Sequence, residues 1–515
     1  MFGNLLLGAE IIFQLPVLLL LLLGTFLGLV FGAIPGLTAT LALILLLPVT
    51  FGMEPAIGMA VLGALYIGGV SGGKIPAILL NMPGTPSSIA TTFDGYPLCQ
   101  QGYPGKALTY AIASSFTGGM ISLIALILLA PSLAFITLRF QSYEYFLLGV
   151  FGLTVVSSTT GKSVVYGLIS AALGLMIATI GGDPLSGVTR FSFGVRALRG
   201  GVELLVAMIG LFVMTEVFAQ TADVGKKYSF FSAKLDSMKL EIKVMLGQAR
   251  NAIRSSLIGL GLGMLPGAGG TIASFIAYDQ AKKASKTPEK FGTGILDGIV
   301  AAETSNNAVS GGAYIPTITL GIPGNTVTAV ILAGLITHGI TPGPSLFRNE
   351  VQLVYAIFVG LLVSNVFMFL LQHTVMIRFF KWALRIPKTI LLPLIMLMSI
   401  AGTYNIRYSV NDLWVMVIFS VLGYLLLNTG FPLTPMILGL ILGPIMERSL
   451  RTAMMASGGS VMPFLTRPFS LGLIVLTVAS LSLTFIFKRM EKKKLSFVPE
   501  AARERVIEET ATEED

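Results

Sequence analysis

The residues best equipped for chemistry lie in two stretches that would otherwise read as continuous hydrophobic helix. The first, SGGKIPAILLNMPGTPSSIATTFDGYPL at 71–98, carries Lys74 and Asp94, prolines at 76, 83 and 86, and hydroxyls at Thr85, Ser87, Ser88, Thr91 and Thr92. The second, SGGAYIPTITLGIPGNTVTAVILAGLITHGITPG at 310–343, places Gly324, Asn325, Thr326 and Thr328 after Pro323. In hydrocarbon every backbone N–H and C=O needs a partner, so broken backbone survives only inside protein or beside a water-filled cavity. Half-helices ending there aim N–H groups at an anion, glycine lets a ligand approach them, and hydroxyls add neutral donors. Exposed carbonyls and hydroxyls also suit a hard cation such as Na+. The chemistry expected is therefore capture and release, without covalent steps.

On this reading the substrate-binding candidates are Thr38, Thr40, Lys74, Asn81, Gly84, Thr85, Ser87, Ser88, Gly269, Thr271, Gly324, Asn325 and Thr326. Ion-binding candidates are Asp94, Ser305, Asn306 and Asn307, beside Glu303 and Thr304. The backbone breaks themselves fall at Pro35, Gly36, Pro83, Pro266, Gly267 and Pro323. A single hydroxyl in such a helix is as readily a back-bond or a cap, so weight rests on the set. Lys74 either balances a carboxylate or forms an ion pair, and Asp94 either holds a cation or closes an Asp-Gly turn.

Composition says what must position these groups. With 54% apolar and 11% charged residues and a mean hydropathy of +0.84, the chain is a polytopic membrane protein, expected to be all-α with roughly ten to twelve membrane segments. The formal charge of +9 is read as loop residues that orient a chain in the lipid bilayer, not as a nucleic-acid surface. One cysteine, Cys99, excludes an internal disulfide, and two distant histidines, His338 and His373, give no metal-ligand spacing. The N-terminus lacks a basic region and is read as retained.

No charge occurs from Ile11 to Met53, a run of about 65 Å as helix, so the chain must turn, and Pro35-Gly36 is the place. In the second half Pro266-Gly267 divides the charge-free run SSLIGLGLGMLPGAGGTIASFIAY, flanked on both sides by lysines and arginines that belong on one cytoplasmic face. The run enters and leaves by the same side. Leu265-Pro266-Gly267 matches Ile34-Pro35-Gly36; Ile322-Pro323-Gly324-Asn325 matches Met82-Pro83-Gly84-Thr85; Ser310-Gly311-Gly312 is set against Ser71-Gly72-Gly73. Segments 163–182 and 409–430 also share a spacing of glycine and apolar residues. The expected organisation is two inverted repeats: residues 1–222 (hairpin 15–50, interrupted segment 56–98) and 255–487 (hairpin 255–278, interrupted segment 293–343). A cytoplasmic amphipathic linker at 223–254 joins them, and 488–515 forms a disordered cytoplasmic tail. Arg190, Arg196 and Arg199 fall outside, read as a self-bonded loop.

SSTTGKS at 157–163 lacks the glycine a phosphate loop needs at Val156, and neither HExxH nor G-x-S-x-G occurs. No catalytic residue or resident metal is expected, and the protein is not read as an enzyme. GAIPGLTATLALILLLPVTFG, GGKIPAILLNMPGTPSSIATTFDGYPL, GMLPGAGGTIASFIAY and GIPGNTVTAVILAG together resemble the large membrane subunit (TctA type) of the tripartite tricarboxylate transporters, nearly to residue 487. The resemblance implies a bacterial inner-membrane secondary transporter for citrate-like carboxylates, driven by symport with a cation, Na+ first among them. It implies two partners, a small membrane subunit and a periplasmic solute-binding protein, and P-G motifs lining the site. The alternative is an anion channel or carboxylate uniporter, since channels also use re-entrant loops and carbonyls.

Overall fold

The breaks expected at the four Pro-Gly motifs are real, and they set the element order. The computed structural model describes residues 2–159, 163–183, 185–221, 238–376 and 388–496. The helices of the first half are α1 (Phe2–Ile12), α2 (Leu15–Ala33), α3 (Ala39–Leu46), α4 (Pro55–Gly72), α5 (Lys74–Leu80) and α6 (Ile89–Gln100), then α7 (Pro104–Thr137), α8 (Ser142–Thr159), α9 (Val164–Ala178), α10 (Leu204–Met208) and α11 (Thr215–Thr221). A π-helical stretch, Ile209–Met214, joins α10 to α11. In the second half follow α12 (Ile242–Gly247), α13 (Ala249–Met264), α14 (Gly269–Ala284), α15 (Leu296–Leu320), α16 (Thr326–Thr337), α17 (Leu346–Asn349) and α18 (Val351–Leu371). The last are α19 (Lys388–Arg407), α20 (Val410–Asn428), α21 (Leu433–Ala456), α22 (Met462–Thr466) and α23 (Pro468–Ser496). Among the described residues the only strands are a two-residue ladder of Gly181–Gly182 with Thr189–Arg190. The protein is thus an all-α polytopic membrane protein. Eight described helices are long and apolar enough to cross a membrane, and six shorter apolar helices accompany them.

Burial sorts these helices into a centre and a rim. The span Pro55–Leu80 is 89% buried, whereas α19 is 22% and α20 28% buried although both are as apolar. A helix apolar all round either lies in a core or faces lipid. Here α4 and α15 do the first, while α19 and α20 turn Leu397, Trp414 and Ile418 outward.

Close glycine contacts recur at matching positions in the two halves. A Cβ on Gly28 would stand 2.3 Å from the Leu65 carbonyl oxygen, and one on Gly259 2.2 Å from that of Ser305. Gly32 abuts the Gly69 carbonyl, and Gly263 that of Val309; Gly72 abuts Leu29, and Gly312 abuts Leu260. Gly84 presses on the carbonyl of Gly32 and Gly324 on that of Gly263. These contacts correct one expected match, Ser-Gly-Gly, and keep the others: Gly72 matches Gly312, not Gly311, in step with Ile75-Pro76 against Ile315-Pro316 and with the breaks, so Gly73 matches Ala313 and Lys74 matches Tyr314. The breaks agree, for Asn81 (φ 56°) and Gly321 (φ 69°) are both left-handed caps, and the N–H groups of Met82 and Ile322 both donate to the carbonyls of Pro76 and Pro316 at 3.3 Å.

Three boundaries differ from expectation. Helix α13 begins at Ala249, inside the stretch read as linker, so each arm of the second hairpin has 16 residues and a length of about 24 Å, not half a membrane. Residues 488–496, read as disordered, continue α23. The linker before residue 238, the SSTTGKS motif at 160–162 and the tail from 497 lie outside the described residues.

Overpacking such contacts typically costs about 1–3 kcal/mol. Gly84→Ala and Gly324→Ala should each lower the thermal midpoint of the purified protein by several degrees. Gly261→Ala, on the second hairpin with open space around it, should leave that midpoint unchanged.

Candidate functional site

Four helix starts, two from each half, meet at one cavity of about 330 Å³. The first hairpin supplies Thr38 and Thr40 at the start of α3, and the first break supplies Thr85 and Ser87 ahead of α6. The second hairpin supplies Gly269 and Thr271 at the start of α14, and the second break supplies Asn325 and Thr326 at the start of α16. Tyr66 of α4, Asn306 of α15, and Phe212 and Glu216 complete the polar and aromatic wall.

Local chemistry explains each start. Thr38 caps α3 by accepting from the Leu41 N–H at 3.2 Å. Asn325 and Thr328 form a reciprocal capping box on α16, and the Asn325 amide donates to the Tyr66 hydroxyl at 2.8 Å. Thr85 Oγ1 lies 3.1 Å from Ser87 Oγ and 2.9 Å from Ser88 Oγ. Gly36 (φ 88°) and Gly267 (φ 80°) make the two hairpin turns, conformations glycine adopts without strain. The Gly267 N–H donates to the Gly324 carbonyl at 2.8 Å, tying the second hairpin to the second break. The tips also touch across halves: a Cβ on Gly270 would meet Asn306 Oδ1 at 2.8 Å and Ser87 Cβ at 2.9 Å. Asn306 Oδ1 is buried with no hydrogen-bond partner, an acceptor left on the cavity wall.

Not every candidate is there. The cavity is lined by residues just after the Pro-Gly motifs, not by Pro35, Gly36, Pro83, Pro266, Gly267 or Pro323 themselves. Gly84, Ser88 and Gly324 are buried behind it, and Asn81 is an exposed cap. Of Ser305, Asn306 and Asn307 only Asn306 reaches it; the Asn307 amide donates back to the Glu303 carbonyl at 3.1 Å. Asp94 Oδ1 accepts from the N–H groups of Gly292, Gly294 and Ile295 at 2.8–3.0 Å, and Oδ2 accepts from the Tyr278 hydroxyl at 2.8 Å. It anchors the turn before α15 and does not face the cavity.

Lys74 is fully buried and outside the cavity, 3.5 Å from Glu303 Oε2. Its ammonium donates to Ser71 Oγ at 2.7 Å and to Ser115 Oγ, while Glu303 accepts from Thr91 at 2.5 Å and Ser115 at 2.8 Å. This network ties both flanks of the first break to α15. The matching place in the second half is apolar: Tyr314 stands where Lys74 does, and its hydroxyl reaches Gly63, the counterpart of Glu303.

Arg190 forms a two-pronged pair with Glu447 at 2.5 and 2.9 Å and lies 3.3 Å from Asp183. Backbone N–H groups of Ser186 and Leu185, with the Arg451 guanidinium, hold the Asp183 carboxyl below the usual carboxylate range. Tyr66 and Glu216 escaped sequence reasoning. Tyr66 matches Asn306 once the register is corrected, a usable signal; Glu216 sits in TEVFAQ with no motif around it.

The profile described as "Tripartite tricarboxylate transporter TctA family" matches residues 18–438. An Agrobacterium vitis protein described as "Uncharacterized 52.8 kDa protein in TAR-I ttuC' 3'region" is 34% identical over 484 residues, 93% of this chain and 95% of its own. A second from that organism, "Uncharacterized protein in TAR-II ttuC' 3'region", is 34% identical over 237 residues, 46% of this chain and 98% of its own. No solved structure matches.

Removing one partner of a buried ion pair costs about 3–5 kcal/mol, while replacing both with apolar residues is often neutral. Lys74→Met should therefore abolish a monodisperse size-exclusion peak. Lys74→Met with Glu303→Leu should restore most of it.

Proposed function

Because this chain belongs to the tripartite tricarboxylate transporter TctA family, we propose that it binds a citrate-like carboxylate in the cavity at the four helix starts and imports it by cation symport, Na+ being the first cation to test. Membership makes it a component of a tripartite transporter and a multi-pass membrane protein. The finer reading rests on one observation. Helix starts from both halves open on a shared space furnished with hydroxyls and glycine backbone, which suits a multivalent anion.

In this reading the two halves are inverted repeats, and access alternates as the hairpins and broken helices shift against the outer spans. A periplasmic solute-binding protein delivers the substrate and a small membrane subunit completes the assembly in the bacterial inner membrane, with the C-terminal tail cytoplasmic. Substrate contacts are assigned to Thr38, Thr40, Thr85, Ser87, Thr271, Asn325 and Thr326, and Asn306 is the acceptor for a carboxylic proton or an ion. Close to the anion, neutral donors act by pre-orientation, so removing one costs about 1–3 kcal/mol of binding.

The chain reconstituted with its two partner subunits in proteoliposomes should accumulate radiolabelled citrate or a related di- or tricarboxylate only under an inward Na+ or proton gradient. Thr85→Ala and Thr326→Ala should raise the half-saturating concentration about tenfold. Flux that ignores every cation gradient would overturn the symport reading.

A further inference from the structure

The furnishing of the cavity wall leaves one charge unexplained. Among the described lining residues there is a single carboxylate, Glu216, and no lysine, arginine or histidine. An incoming carboxylate therefore meets a fixed negative charge that no side-chain cation in the lining offsets, and four helix dipoles must serve both.

The surroundings of Glu216 are those of an oxygen-rich corner. Gln220, one turn further along α11, donates from Nε2 to Glu216 Oε1 at 2.7 Å and to the Gly36 carbonyl at 2.5 Å. Two acceptors on one side fix which end of the amide is nitrogen. Gln220 Oε1 is then left buried without a partner, although the residue is only 6% exposed. The Gln220 amide nitrogen thus bridges the Glu216 carboxylate and the Gly36 carbonyl, fixing the acid where the first hairpin turns. Gly36 admits this approach because a Cβ there would stand 2.4 Å from Gln220 Nε2. The matching stretch of the second half, LGLILGPIMERS at 438–449 against IGLFVMTEVFAQ at 209–220, has Ile445 in place of Glu216. Its glycine packs the same way, Gly210 against Met416 and Gly439 against Ala171, so the acid is not demanded by helix packing. An ionisable group at such a place in a membrane protein has a functional reason by default.

We propose that Glu216, held in place by Gln220 at the first hairpin turn, binds the coupling cation, one Na+, whose charge neutralises the wall before the carboxylate seats. The proposal rests on the carboxylate-symport reading and names the group that performs the coupling. One site on one half gives one cation at this position per cycle. Among the described residues, the charged and titratable groups on the helices packed against α11 are Lys388, Tyr404 and Arg407 on α19 and Asp412 and Tyr424 on α20, and Tyr66 is the other titratable group in the cavity lining. Arg407 is committed to Asp412 at 2.6 Å and Glu203 at 3.7 Å.

The test measures the thermal midpoint of the purified full-length chain in NaCl against choline chloride, with and without citrate. Citrate counterflow and gradient-driven uptake are then measured in the reconstituted complex. Wild type should gain stability from Na+. Glu216→Gln, neutral throughout, should lose that response and gradient-driven accumulation, while Glu216→Asp keeps part of each. Gln220→Met, which preserves bulk, should weaken the apparent cation affinity about tenfold, a readout independent of how well Glu216→Gln folds. A cation response or uphill uptake surviving in Glu216→Gln would overturn the proposal. Absence of any carboxylate effect on wild type would instead remove the transport reading beneath it.

Discussion

Backbone pressed against backbone is the condition on which this structure depends. A broken helix inside an apolar protein leaves N–H and C=O groups that must find partners, and only another main chain at contact distance supplies them in bulk. At the first break the Gly84 N–H donates to the Gly73 carbonyl at 3.2 Å, and Gly84 itself lies on the carbonyl of Gly32. The second break repeats the approach with Gly324 on Gly263, and there the Gly324 carbonyl is taken by the turn at Gly267. Remove the glycines and hairpin and break separate; the helix starts they aim at the cavity then lose their common focus.

The polar interior follows from the same economy of partners. Asp94 satisfies three consecutive-turn N–H groups and a phenol, so a charge at 0% exposure is used to finish a loop. Lys74 and Glu303 satisfy four hydroxyl contacts between them while crossing from one half to the other. Neither arrangement touches the cavity, whose own wall is built from neutral donors and a single acid. The protein thus keeps strong charges where they hold elements together and weak dipoles where a ligand must come and go.

What could be read in advance follows this division. Pro35, Pro83, Pro266 and Pro323 announced the breaks because proline's constraint is local, and the threonines and Asn325 beside them fell at the cavity for the same reason. Lys74 and Asp94 were ambiguous, since their partners, Glu303 and the turn at 292–295, lie about two hundred residues away and no spacing rule reaches so far. The repeat register slipped by one because Ser-Gly-Gly occurs twice, at 71–73 and 310–312, while packing matches Gly72 with Gly312. Tyr66 was hidden by that slip. Glu216 was hidden by position, an acid in an apolar helix whose meaning appears only when Gly36 is brought beside Gln220.

The unequal filling of the two matching interior places limits how such a molecule can be taken apart. Were two copies of the first half to assemble with each other, each Lys74 would look across at Gly63 and keep only the Ser71 and Ser115 hydroxyls, with no carboxylate to balance its ammonium. Two copies of the second would leave each Glu303 opposite Tyr314. Alike in outline, the halves are complementary at this one place, and neither can stand in for the other.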